Sequence, residues 1–355
     1  PRVVAVEKRI DQGLVRGGER GERRGRGVVR CVPRAAERRP EGRAQTAWRG
    51  LPADGAPSAR PPRRVMDADA VPALPAVADA TVPRGAAAAA DALPDRLIEI
   101  PHGATRAAHF DALAAELAGP FPDDLRDFFF VNTDVGAPEV GAALAARVVA
   151  DEPARTVAVI RCLVPRTFVD CNRVIAPDAQ PRASAAGEVT PGLAPYAHDP
   201  GDQRLLLERH AAYRDLVTQA VDAVCEGGGE VLMLHSYAPR EIDVPVDDRI
   251  VERLREAYEP DRVEGWPLRP PVDLIVRTPE GELLAATSRV EYVRAAFEAD
   301  GLEVAEGRTY PLHPSTMAYV HARRHPGRTL CLELRRDLLV AAFTPFREML
   351  GDPAR

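Results

Sequence analysis

The sequence predicts an α/β fold, a single three-layer domain around a central mixed, largely parallel sheet. Three observations carry that reading. Apolar runs of strand length recur at 97–101, 156–164, 231–234, 271–277 and 329–334. Stretches with helical spacing separate most of them, and strands alternating with helices build parallel sheets. The runs are also continuously apolar, as strands buried on both faces require. Hydrophobic residues make up 45% of the 355 and aromatics only 5%, so Ala, Val and Leu do the filling in a core ample for one large domain.

The elements follow in order. Residues 1–65 hold 17 Lys+Arg against 7 Asp+Glu, a surplus of +10, while the remaining 290 hold 30 against 46, or −16. Arg, Gly, Pro and Glu dominate the basic part, with G-G-E-R-G-E-R-R-G-R-G at 17–27 as its extreme. Such composition buries too little apolar surface to offset the entropy of ordering. Residues 1–94 therefore read as a disordered Arg/Gly/Pro/Ala-rich extension and residues 95–352 as the folded domain. Met66 is the first methionine, and 1–65 reads as a mis-started segment.

The strand at 97–101 stops at Pro101, and helical spacing runs over 107–117. The apolar run 128–131 leads through N-T-D to a helix from about Pro138 to Val149, with proline in its favoured first turn. After the strand 156–164 comes a Pro/Gly/Ala-rich loop at 176–202, of the length that forms lids or binding loops. A helix at 203–225 is stopped by the triple glycine 227–229. Strand 231–234, helix 248–258, strand 271–277, helix 288–300 ending at Gly301, strand 329–334 and helix 336–350 complete the expectation.

Five cysteines (Cys31, Cys162, Cys171, Cys225 and Cys331) are odd in number and include no Cys-x-x-Cys pair, which argues against a disulfide framework or a zinc ribbon. No stretch reaches the length of a transmembrane helix, and the first residues lack a signal peptide's apolar core. A cytoplasmic protein without a membrane partner is expected. An arginine-rich arm is one way to bind nucleic acid, but a body at −16 repels phosphate, so nucleic acid is not an expected partner.

Active sites of such sheets gather at the carboxyl ends of strands. His102 follows the first strand, Asp134 follows the run 128–131, and Asp170, Asn172 and Arg173 follow the strand 156–164. His235 ends the run V-L-M-L, and Glu333 and Arg335 stand at the end of the last strand. Singly, each has a structural reading. A strand-end histidine is more often hydrogen-bonded than functional, Asp134 suits a helix cap, and Glu333 suits an ion pair. Together they supply what a catalytic zinc needs: imidazoles, a carboxylate and an open position. A second carboxylate would move protons, and an arginine would grip an anion.

In sequence order, H-G at 102–103, T-D-V-G-A at 133–137, R-T-F-V-D-C-N-R at 166–173, L-H-S-Y-A-P at 234–239 and L-E-L-R-R-D-L at 332–338 resemble the N-formylglutamate amidohydrolase family. That family is related in fold to zinc carboxypeptidases and aspartoacylase. The resemblance implies His102, Asp134 and His235 as ligands of Zn2+ or another divalent transition metal. It implies Glu333 as general base, Arg166 as the group that orients the substrate or polarises its carbonyl, and Asn172, Arg173 and Arg335 as substrate-binding residues. The implied activity is metal-dependent hydrolysis of the amide of a small anionic N-formyl or N-acyl amino acid, such as N-formylglutamate.

The chain departs from the pattern where many members have His-Ser-Gly and it has H-G-A, and where they have Asp-Leu-His-Ser and it has M-L-H-S at 233–236. The second change removes an acid near a ligand. The family's Asn-x-Pro-Tyr is replaced by T-Y-P-L-H-P-S-T at 309–316, which leaves His313 open between a site residue and an exposed loop histidine. The alternative function is a non-catalytic relative that binds a carboxylate ligand or a protein partner. The intact set His102, Asp134, His235 and Glu333 favours the enzyme.

Overall fold

The computed structural model of the protein describes residues 73–352, so the expectation of disorder up to residue 72 lies outside the described residues. A seven-stranded sheet runs in the order β1 (Ala78–Thr81), β3 (Val157–Cys162), β2 (Arg96–Ile100), β4 (Glu230–Tyr237), β7 (Thr329–Arg335), β5 (Val272–Leu274), β6 (Val304–Glu306). β3, β2, β4 and β7 form a parallel block. β1 is antiparallel to β3, β5 is antiparallel to β7, and β6 is parallel to β5. This is the mixed, largely parallel sheet that the apolar runs predict.

Strand alternation divides the core in two. Ile98, Ile100, Val157, Val159, Leu232, Leu234, Leu330 and Leu332 point to one face, covered by α3 (Ala137–Asp151) and α7 (Thr287–Glu298). Leu97, Ala158, Ile160, Val231, Met233 and Cys331 point to the other. There α4 (Pro200–Glu226) packs on β2 and β4, with α1 (Ala107–Ala114), α2 (Leu125–Asn132), α5 (Ile250–Ala257) and α8 (Met317–Arg324) around it. The short α6 (Pro260–Val263) follows α5. Three layers result. The length of α4 has local causes: Asp199 caps its start by accepting from the Gly201 and Asp202 N–H groups, Pro200 fits the first turn, and Gly227 follows its end. Leu206, Tyr213, Val217, Ala220 and Val224 recur at helical spacing and lie buried.

Three expectations are corrected, and the apolar run 128–131, to which the sequence assigns no element, finds its place. The segment 66–94 contains β1, so the fold begins before residue 95. That strand is an edge held by backbone pairing with β3, and only Ala78 among its residues is buried, so it needs no apolar run. The apolar run 128–131 belongs to α2, because Leu125, Phe129 and Phe130 bury one helical face, with Phe129 against Phe110. The run 271–277 forms a strand only over Val272–Leu274, with Arg277 bridging separately to Leu283. The helix expected at 336–350 is a single 3-10 turn, Arg336–Leu338. Arg336 is drawn inward by bonds to groups on other elements, and Pro345 would interrupt a helix beyond it. β6 and α8 have no counterpart in the expected elements.

Candidate active site

Chain order reverses beside β2. The chain passes from β2 to β3 on one side, then returns to β4 on the other. A crevice opens outside the carboxyl ends at such a switch, between β2 and β4. His102 stands just past the end of β2, and His235 is the sixth residue of β4. Asp134 lies in the turn from α2 to α3, its N–H donating to the His102 carbonyl at 3.4 Å. That turn is possible because Gly136 takes φ +87° and passes Leu339 so closely that a Cβ would stand 2.5 Å from the leucine's own.

Three side chains converge there. His102 Nδ1 lies 3.2 Å from Asp134 Oδ2, His235 Nδ1 lies 3.1 Å from the same oxygen, and the two Nδ1 atoms are 3.3 Å apart. All three residues are buried. On its other edge, His102 Nε2 donates to Asp170 Oδ1 at 2.8 Å. A carboxylate at that nitrogen fixes the tautomer, so the Nδ1 lone pair faces Asp134. Arg166 donates to Nδ1 at 3.3 Å and to Asp170 Oδ2 at 3.0 Å, which fits the same assignment. The three facing atoms lie close enough to one another for a single cation to meet all of them. This donor set fits a divalent transition metal, with His102, Asp134 and His235 as the ligands.

Burial shapes the charges. It would raise the Asp134 carboxyl, but the facing His102 and His235 hold it well below the usual carboxylate range. It opposes charge on His235, yet the bond to Asp134 holds that imidazole well above its ordinary value. Asp170 is likewise held well down, burial being outweighed by Arg166 and His102. Glu333 on β7 is in register with His235 on β4, and its Oε2 is buried without a hydrogen-bond partner. Burial pushes its carboxyl up, with His235 opposing.

The remaining expected residues divide. Arg173 lines the same cavity, its buried Nε ion-paired with Asp170 Oδ2 at 3.8 Å and without a hydrogen bond. Asn172 also lines it, but its Oδ1 accepts from the Ala318 N–H at 3.3 Å and its own N–H donates to Asp170 at 2.9 Å. Arg335 is not brought there: its Nε donates to Asp337 at 2.7 Å and its NH1 to the Arg269 carbonyl at 2.8 Å. Its neighbour Arg336 turns inward instead, donating to Asp134 Oδ1 at 3.4 Å and to the Ser236 carbonyl at 3.0 Å. Strand alternation places residues 333 and 335 on one face; only the turn that ends β7 delivers Arg336. His313 lines the cavity, its Nδ1 accepting from the Ser315 N–H at 3.1 Å. Met233, where the resemblance expects an acid, is buried between Glu99 of β2 and Cys331 of β7 in register. Glu99 supplies a buried carboxylate at that level, accepting from Tyr213 at 2.8 Å.

The cavity has a volume of about 590 Å³. Its inner wall carries the His102–Asp170–Arg166 cluster, His235 and Glu333. Its outer wall comes from the loop expected to form a lid or binding loop, through Ser184–Pro195, and from the segment after β4. Arg269 also lines it, a residue the sequence reading missed; an arginine before two prolines gives no signal beyond a loop.

Fold and site together define an α/β protein with a buried His–Asp–His cluster at the sheet's switch point, opening on a ligand-sized cavity. No family model matches the sequence, and no curated protein matches it. Among solved structures, the chain is similar to N-formylglutamate amidohydrolase from Ralstonia eutropha JMP134, at 17% identity and a TM-score of 0.48, over 77% of this chain and 90% of that one. Likeness at this level leaves activity to be argued from the site itself.

Proposed function

We propose that the protein is a metal-dependent amidohydrolase that cleaves the amide of an N-formyl or N-acyl amino acid. One observation carries the reading: three metal-type donor atoms converge beside Glu333, whose Oε2 is buried without a hydrogen-bond partner, at the floor of a cavity. Zinc or a similar ion held by His102, Asp134 and His235 supplies Lewis acidity toward a carbonyl and a water.

The chain's own residues do the rest. Glu333 accepts a proton from the attacking water and returns it to the leaving amine nitrogen. Its raised pKa suits it to hold the proton between the two transfers. Arg166, anchored on Asp170, is placed to orient the acyl carbonyl. Arg173, held toward Asp170 through its Nε at 3.8 Å, offers its guanidinium to the substrate carboxylate. Asn172, with its oxygen committed to Ala318, has its amide N–H groups to give. Arg335, tied to Asp337, is assigned no substrate contact.

Protein purified without chelator is expected to carry one equivalent of transition metal and to turn over members of a panel of N-formyl and N-acetyl amino acids. Glu333→Gln is expected to lower kcat by about 10²–10⁴-fold at unchanged metal content. Absence of metal binding, or of turnover after zinc is supplied, would overturn the reading.

A further inference from the structure

The cavity is larger than a formyl amino acid needs. Its volume of about 590 Å³ equals roughly twenty water volumes, and the groups that hold the scissile amide occupy one part of it. Away from that part the lining is apolar. Phe128 and Val131 of α2 and Ile250 and Leu254 of α5 line the cavity where the two helices pack together. Ile242 and Val246, on the segment after β4, complete this lobe, and all six belong to or pack against one apolar cluster. Phe128, Ile242 and Val246 are only half-buried, so apolar surface is left facing the void. Space walled in this way offers water few partners and favours an apolar group.

The outer wall of the lobe is tied together. Ser184 and Val246 exchange backbone hydrogen bonds at 3.1 and 3.0 Å, and the Gly187 N–H donates to Asp243 Oδ1 at 2.9 Å. These bonds join the long loop before α4 to the segment after β4. Three charged residues of that wall are committed elsewhere: Arg240 to Glu264, Asp243 to Gly187, and Glu188 to the Ala185 N–H. Arg173 and the lobe approach the His102–Asp134–His235 cluster from different sides. Arg173 is held by Asp170, behind His102, whereas Arg336 ties the Val131 carbonyl to Asp134 and to the end of β4. In an N-acyl amino acid the carboxylate and the acyl group stand on opposite sides of the amide bond. A carboxylate at Arg173 and an amide carbonyl at the cluster therefore direct the acyl group toward the lobe.

We infer that the substrate's acyl group is bulky and apolar, a medium-length aliphatic or an aromatic one, and that the lobe between α2, α5 and residues 242–246 receives it. The scissile amide is taken from the hydrolase reading above; as a site for an apolar chain the lobe stands on the cavity alone. Water adding across the amide gives the apolar acid as its carboxylate and the amino acid as its amine, the water's proton passing to nitrogen. A formyl or acetyl group leaves the lobe unfilled, so the acyl group, and not only the amino acid, sets specificity.

Binding and turnover are read separately. The full chain carrying Glu333→Gln, in which turnover is suppressed, is supplied with zinc and titrated calorimetrically with N-acetyl-, N-hexanoyl- and N-benzoylglutamate. The better of the two bulky ligands is expected to bind about tenfold or more tightly than the acetyl one, the gain from burying several methylene equivalents. The unaltered protein's kcat/KM is expected to follow the same order. Adding Val246→Phe, which fills the lobe, is expected to bring the binding ratio close to one. Ile242→Asn, which makes the wall polar, is expected to reduce the ratio and covers the case in which the phenylalanine variant does not fold. Equal or weaker binding of both bulky ligands, no binding of either at millimolar concentration, or an unchanged ratio in both variants would overturn the proposal. A preference for a bulky acyl chain without turnover of any N-acyl amino acid would overturn the hydrolase reading and leave the lobe standing. Turnover with N-acetylglutamate preferred would do the reverse.

Discussion

His102 uses both ring nitrogens, and the division of labour between them is what makes the site. Asp170 accepts from Nε2, leaving the Nδ1 lone pair directed at Asp134 and His235. Carboxylates placed behind a ligating histidine raise its basicity and fix its orientation. Asp170→Asn preserves the shape and the acceptor for the Asn172 N–H but removes the charge. It is expected to weaken zinc binding by about 10–100-fold, measured by competition with a chromophoric chelator; unchanged affinity would mean that Asp170 does not orient His102. Arg336 works from the opposite side. It bonds Asp134, Ser236 and the Val131 carbonyl while almost fully buried, so it joins the turn before α3, the end of β4 and the turn after β7 around one carboxylate.

Among the elements, α8 carries a consequence for pH. Thr316 caps its start by accepting from the Tyr319 N–H at 3.2 Å, and Met317, Ala318, His321 and Ala322 form its buried face. Both ring nitrogens of His321 lack partners, and burial pushes its pKa down to about 4. Asp222 on α4 opposes that shift, while His325 just past the end of α8 and Arg324 in its last turn add to it. An unfolded chain takes up this proton near pH 6.5, whereas the folded chain resists until about 4. The stability concerned is therefore fully present above pH 6.5, is lost as pH falls toward 4, and amounts to about 3 kcal/mol at most. Urea unfolding of His321→Phe between pH 7 and 4.5 is expected to show a shallower loss than the unaltered protein. Parallel curves would assign the acid sensitivity to other groups.

At the scale of the whole molecule, the site joins segments that are distant in the chain. His102 follows β2, Asp134 precedes α3, Asp170 follows β3, and His235 and Glu333 lie on β4 and β7. An ion held by ligands from three of these segments binds the folded chain and not the unfolded one, and so stabilises it by mass action. Zinc at a thousandfold excess over its dissociation constant is worth about 4 kcal/mol, which corresponds to a rise in Tm on the order of 10 °C for a domain of this size. Chelation is expected to reverse the rise, and His235→Ala to abolish it, both read by calorimetry. A Tm indifferent to zinc would count against the cluster as a metal centre.

The sequence by itself determined the class of fold, because buried strands and their intervening helices are written as local apolar patterns. It also placed His102, His235 and Glu333 in or just past the carboxyl-terminal parts of strands, since apolar runs mark where strands lie, although β4 runs on through His235 to Tyr237. Tertiary structure decided what pattern cannot encode. β1 is an edge strand held by backbone bonds and needs no apolar run, and Phe128–Val131 is helical because of what it packs against. The strand order, which alone puts β2 beside β4, depends on long-range pairing. The choice of Arg336 over Arg335, the orienting role of Asp170 and the presence of Arg269 in the cavity wall follow from directions in space that residues acquire only when turns, strands and helices close on one another.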